Sequence, residues 1–201
     1  MGSVIHETVY SIMKLLDPPG LHAKQRRRLR RRRYVGSGPN HCWHLDGYDK
    51  LKPYVICIHG CIDGFSREVI WLRAYKTNND PKVIARYYMY LEAVKEKNGL
   101  PKVLRADLGT ENVCVEIMHR LLRCSHADHW AGDRSFMYER STSNQRIEFF
   151  WSIVRRQCVQ FWMDMFGYLS YEGLFTGDYL DKELIQFSFT NLIQVSFIYI
   201  L

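Results

Sequence analysis

Apolar residues between positions 3 and 16 recur at helical spacing, with Val4, Ile5, Val9, Ile12, Met13 and Leu16 on one stripe and Ser3 placed to cap it. Asp17-Pro18-Pro19-Gly20 then stops the helix. One helix cannot bury its own apolar stripe, so residues 1–20 read as the end of an upstream helical module, of the helix-turn-helix kind. A basic stretch and Gly36-Ser37-Gly38-Pro39 follow as a linker over residues 21–39. From residue 40 the pattern changes to short β-like runs at 41–48, 54–62 and 68–75, with Asp63-Gly64-Phe65-Ser66 supplying hairpin chemistry between the last two.

Three strands in a meander are therefore expected. Asp80-Pro81 opens a helix carrying Val83, Ile84, Tyr87, Tyr88, Leu91 and Val94 at helical spacing, and Asn98-Gly99 closes it. Residues 101–107 read as a fourth strand and 110–123 as a second helix. Residues 124–143 are loop-like, with one edge strand near 136–139. Residues 145–168 carry the longest helical pattern, with Ile147, Trp151, Val154, Cys158 and Phe161 on one stripe. That order of elements predicts a single α/β domain over residues 40–201.

Composition adds little to this picture except at one place. Hydrophobic residues are 47% and charged residues 24% of the chain, so neither a disordered nor a fibrous protein is indicated. The six cysteines contain no C-x-x-C pair, and they read as reduced thiols of an intracellular protein. The apolar tract at 187–201 is interrupted by Thr190, Asn191 and Gln194 and is too short for a bilayer span, so no membrane partner is expected. The net charge of +7 is matched by seven arginines in one run, Arg26, Arg27, Arg28, Arg30, Arg31, Arg32 and Arg33. Guanidinium groups pair two phosphate oxygens at once, so the run is expected to bind DNA, although a solvated linker with no partner has the same composition. In a eukaryotic host it also reads as a nuclear import signal.

Candidate chemistry comes from carboxylates. In W-H-L-D-G-Y, residues 43–48, Asp46 shares a strand face with His44 and Tyr48 while Trp43 and Leu45 share the other. An edge-strand aspartate or an ion pair would give the same local pattern. In R-A-D-L-G-T-E, residues 105–111, an apolar strand runs out at Asp107 and Gly109 permits close backbone approach. Glu148 lies near the start of the long helix, where a glutamate on a solvated face is ordinary. Cys124, His126 and His129, with His119 nearby, offer zinc-ligand chemistry, but the spacing fits no common ligand pairing.

Taken together, W-H-L-D-G-Y, C-I-D-G-F-S-R, L-R-A-D-L-G-T-E-N and N-Q-R-I-E resemble the successive blocks of the integrase catalytic core shared by retroviral integrases and many transposases. The similarity runs from about residue 40 to 168, and Y-D-K-L-K-P-Y is similar to a group of eukaryotic integrase-core proteins. The resemblance implies an RNase H-like three-layer α/β fold, with a five-stranded mixed sheet flanked by helices. It also implies a DDE triad at Asp46, Asp107 and Glu148, with 60 residues between the first two and 40 between the second two. Two Mg2+ or Mn2+ ions, DNA as partner, a homo-oligomer in the active state and no small-molecule cofactor go with it. Asp63 then matches a structural hairpin position, Asp49 lies past the catalytic position, and Asn144 matches a helix-opening asparagine near bound DNA. Arg155, seven residues after Glu148 on the same helix face, is placed to meet a DNA phosphate or to be a plain surface arginine.

The final S-F-I-Y-I-L does not look like the family's continuation, so a core truncated at its C-terminus is expected, and an incomplete closing helix would leave a hydrophobic face uncovered. The implied function is a metal-dependent polynucleotidyl transferase for DNA integration or transposition. The alternatives are a domesticated, catalytically silent DNA-binding protein of the same descent and a nuclease acting on RNA–DNA hybrids.

Overall fold

The computed structural model describes residues 2–26, 37–90, 99–139 and 144–199. The chain divides into two compact units, residues 1–35 and 36–201. In the first, helix α1 (Gly2–Leu16) is followed at once by α2 (Pro18–Arg26). The proline pair ends α1 but also opens a second helix inside the expected linker. The Asp17 carboxylate accepts the Gly20 N–H at 2.9 Å, and proline fits a first turn because its missing N–H would have had no intrahelical partner. Arg26 ends α2, and the other six arginines of the basic run lie outside the described residues.

The second unit is built on a mixed sheet of β1 (Cys42–Tyr48), β2 (Cys57–Asp63), β3 (Val69–Tyr75), β4 (Val103–Asp107) and β5 (Phe136–Glu139). The strand order is β3-β2-β1-β4-β5. The first three strands form the antiparallel meander, while β4 runs parallel to β1 and β5 parallel to β4. Helices α3 (Pro81–Tyr90), α4 (Val113–Arg123), α5 (Gln145–Val154), α6 (Gln160–Tyr171) and α7 (Tyr179–Ser196) complete the unit. This is the expected RNase H-like α/β architecture.

Strand alternation divides the core in two. Trp43, Leu45, Cys61, Trp71, Leu104 and Ala106 pack with Ile84 of α3 and Val115 of α4 on one face of the sheet. Tyr48, Ile58, Ile62 and Leu72 pack with Ile147, Trp151, Val154, Trp162 and Phe166 on the other. Each such side chain removed from water contributes about 1.5–3 kcal/mol, and the two cores hold the three layers together.

Two local departures from the sequence pattern have physical causes. Residues 54–56 are not strand, because Pro53 starts a 3-10 turn at Lys52–Tyr54 and Val55 adopts a left-handed φ of 60° before β2 begins. Along the long helical run, Phe161 is 64% exposed while Trp162 is buried. A π-helical turn at Arg155–Val159 inserts one residue between α5 and α6, so the apolar stripe shifts phase and Val159, Trp162 and Phe166 face the core.

Helix α7 covers part of the second core, while Leu184, Phe187, Leu192 and Val195 on its other side stay exposed. Ile185, Phe189, Ile193 and the following Phe197, four residues apart, pack into the same core as Trp162 and Phe166. The helix also addresses the sheet edge. Gln194 accepts the Ala74 N–H at 2.9 Å and donates to the Leu72 carbonyl at 3.0 Å, filling hydrogen-bonding positions on edge strand β3. Gln186 donates to the Val55 carbonyl at 3.1 Å.

Candidate active site

Strands β1 and β4 are neighbours, and their parallel register pairs Cys42 with Val103, Trp43 with Leu104 and His44 with Arg105. Carried forward at the same offset, that register sets Asp46 level with Asp107 at the C-terminal ends of the two strands, where ligands of α/β sheets commonly bind. Both carboxylates line one cavity of about 280 Å³, together with Gly47, Asp49, His59, Asn78, Asn79, Leu108, Glu111 and Asn112. The donor set is made of hard oxygens, which is the kind a magnesium ion takes.

Glu148 is placed differently. It lies in the first turn of α5, is exposed, and does not line the cavity. Its carboxylate is nonetheless close enough to act on Asp46. Burial pushes the Asp46 carboxyl up to about 7, with the charges of Asp107 and Glu148 adding to the rise and the Trp151 indole N–H opposing it. The three carboxylates thus share an electrostatic environment, but among the described residues no three His, Cys, Asp or Glu side chains form a group arranged to hold a metal ion.

Helix α5 is fastened to β1 at two points on either side of Glu148. Four residues before it, Asn144 is 1% exposed. The Asn144 amide donates to the Leu45 carbonyl at 3.4 Å, so its oxygen accepts from His44 Nδ1 at 2.6 Å. His44 is held neutral, its pKa lowered to about 4 chiefly by burial. Three residues after Glu148, the Trp151 indole N–H donates to Asp46 Oδ2 at 2.8 Å. Asn144 therefore differs from the expected DNA-facing residue, because its side chain is taken up inside the protein. Arg155 is exposed in the π-helical turn, with its Nε on Gln160 at 3.1 Å. The basic run from Arg27 onward lies outside the described residues.

The rival carboxylates have local employment. Asp63, 1% exposed, accepts from the backbone N–H groups of Asn40, Phe65 and Ser66 and from the Ser66 hydroxyl, which ties the hairpin to the start of β1. Asp49 pairs with Lys52 at 2.8 Å and accepts from Asn78 at 2.6 Å. In the histidine-rich loop, Arg123 holds Asp128 through contacts of 2.6 and 2.7 Å, and His119 is buried with its pKa lowered to about 3 by desolvation. Sequence reasoning missed Trp151 as part of the site. Its place on the apolar stripe marked it as core, and only the indole N–H, which needs an acceptor when buried, gave a local hint.

A meander of three antiparallel strands continued by two parallel ones, flanked by helices, is an RNase H-like domain. The family model for the integrase core domain matches residues 34–197, and the chain belongs to that family. Integrase core domains generally use divalent metals and act on DNA. Curated proteins contain no match to this chain. Among the described residues no helix is long and apolar enough to cross a membrane.

Proposed function

We propose that this protein is a divalent-metal-dependent DNA transferase of the DDE type, which cuts DNA ends and joins them to a target. Asp46, Asp107 and Glu148 are its metal ligands for two Mg2+ or Mn2+ ions. The observation that carries the reading is that Asp46 and Asp107, on adjacent parallel strands, line one cavity, with the Glu148 helix tied to the Asp46 strand. The chemistry divalent ions supply at such a site is neutralisation of charge on the scissile phosphate and acidification of the attacking hydroxyl.

The chain's own residues prepare for that chemistry. Asp46, raised to about 7, holds a proton for part of the time at neutral pH and releases it when a cation is bound nearby. Gly47 N–H and the Trp151 indole, each at 2.8 Å, fix its two oxygens. Arg155 lies exposed two turns beyond Glu148, where a guanidinium can pair a DNA phosphate. The arginines of 26–33 supply affinity that ignores sequence.

A second reading, a catalytically silent DNA-binding protein of the same family, is favoured by the exposed Glu148 outside the cavity. One experiment separates the two. Purified protein is incubated with Mg2+ or Mn2+ and end-labelled DNA, and thermal unfolding is followed with and without metal. The transferase reading expects nicked or joined products and metal-induced stabilisation, with both lost and DNA binding kept in Asp107→Asn. Undiminished cleavage by Asp107→Asn would sink the triad, and DNA binding without any cleavage by the unaltered protein would favour the silent form.

A further inference from the structure

Trp151 is held more closely than a core tryptophan needs. Its side chain is 3% exposed, and its ring stacks on Tyr48 with centroids 5.0 Å apart and planes 27° from parallel. The indole also lies against β2 at Gly60, the residue directly across the sheet from Asp46. A Cβ added at Gly60 would come within 2.7 Å of the indole Cη2 atom. Glycine weakens a strand interior, and here it marks a place where another group must approach the backbone closely. Tyr48 and Gly60 together form a slot for the indole, and the slot sets its N–H on Asp46 Oδ2 at 2.8 Å.

That hydrogen bond, with the one from Gly47 N–H to Oδ1 at 2.8 Å, uses one lone pair on each oxygen of Asp46. Each oxygen keeps another for a cation. Because Trp151 lies one turn beyond Glu148, the same contact fixes the helix that carries Glu148 relative to the strand that carries Asp46. We propose that Trp151 is a positioning residue for the metal site, orienting the Asp46 carboxylate through its indole N–H and setting the Glu148 helix against it, with Tyr48 and Gly60 holding the indole in place. The inference rests on the reading of Asp46 and Asp107 as metal ligands.

The test uses the full chain and Mn2+ alone, with binding measured by calorimetry or by loss of the free-ion paramagnetic resonance signal. Trp151→Phe keeps a stacked ring and removes the N–H. It is expected to weaken Mn2+ binding 10–100-fold, the range typical of removing a group that orients a ligand, in a protein that loses some stability but stays folded at the assay temperature. Asp46→Asn and Asp107→Asn should abolish binding. A spectroscopic readout accompanies it: the indole ¹H–¹⁵N resonance of Trp151 should move when Mg2+ is added and should move without metal in Asp46→Asn.

Wild-type Mn2+ affinity in Trp151→Phe, with binding lost in the aspartate variants, overturns the role of Trp151 and leaves the carboxylate site standing. Unchanged binding in both aspartate variants overturns the site and the inference with it. Should Trp151→Phe fail to fold, site-specific replacement of Trp151 by 3-benzothienylalanine removes the N–H at constant shape and decides the question by the same affinities.

Discussion

Strands β1 and β2 carry two aspartates at opposite ends of the same ladder, and the protein treats them in opposite ways. At the hairpin end, Asp63 receives four hydrogen bonds from Asn40, Phe65 and Ser66. At the cavity end, Asp46 receives two, from Gly47 and Trp151, and faces the charges of Asp107 and Glu148. Donors surround the first carboxylate, so its oxygens tie the hairpin to the start of β1. Burial and like charges surround the second, so its charge opposes the fold. The two carboxylates differ less in exposure than in the sign of their company.

Removing Asp63 should give the largest effect on stability. Asp63→Ala leaves three backbone N–H groups with no acceptor in a part-buried hairpin, and urea unfolding should show a loss of about 4 kcal/mol. A loss under about 1 kcal/mol would erase the contrast, because Asp63 would then be as dispensable as a solvated residue.

Asp46→Asn should move the other way. The folded-state pKa of about 7 lies above the ordinary 3.8, so between those values the unfolded chain has released a proton that the folded chain keeps. The stability linked to Asp46 is full below the lower value and is lost as pH rises through the upper one. Metal-free Asp46→Asn should therefore be more stable than the wild type by roughly 2 kcal/mol at pH 8, with the advantage gone near pH 4. Unfolding midpoints across that interval check the trend, and a variant less stable than wild type at pH 8 would contradict it. The smallest effect sharpens the hairpin side: Ser66→Ala removes one hydroxyl donor to Asp63 and should cost about 1 kcal/mol with no dependence on added metal.

The sheet was legible in the sequence because alternation and turn chemistry are local, and the four motif blocks fixed which strands carry carboxylates. The contacts that finish the site were not legible, for two physical reasons. Asn144 meets His44 across 100 residues and Trp151 meets Asp46 across 105, and no local period records such partners. The π-helical turn at Arg155–Val159 changes the helical phase by one residue, which a fixed 3.6-residue period cannot follow, so that period points Phe161 inward where the structure buries Trp162. By sequence pattern alone, Asp17 and Pro18 are a stop. The same residues cap and open α2, since the chemistry that ends one helix can begin the next.

Gln194 gives the molecule a boundary. A primary amide carries the same donor and acceptor as a peptide unit, and on α7 it presents both to β3, taking the places that a sixth strand would occupy at Ala74 and Leu72. A sheet that ends on a side chain offers no template there for a strand from another copy. Growth by addition, the route by which exposed ladders become fibrils, is blocked at that rung by one residue from near the far end of the chain.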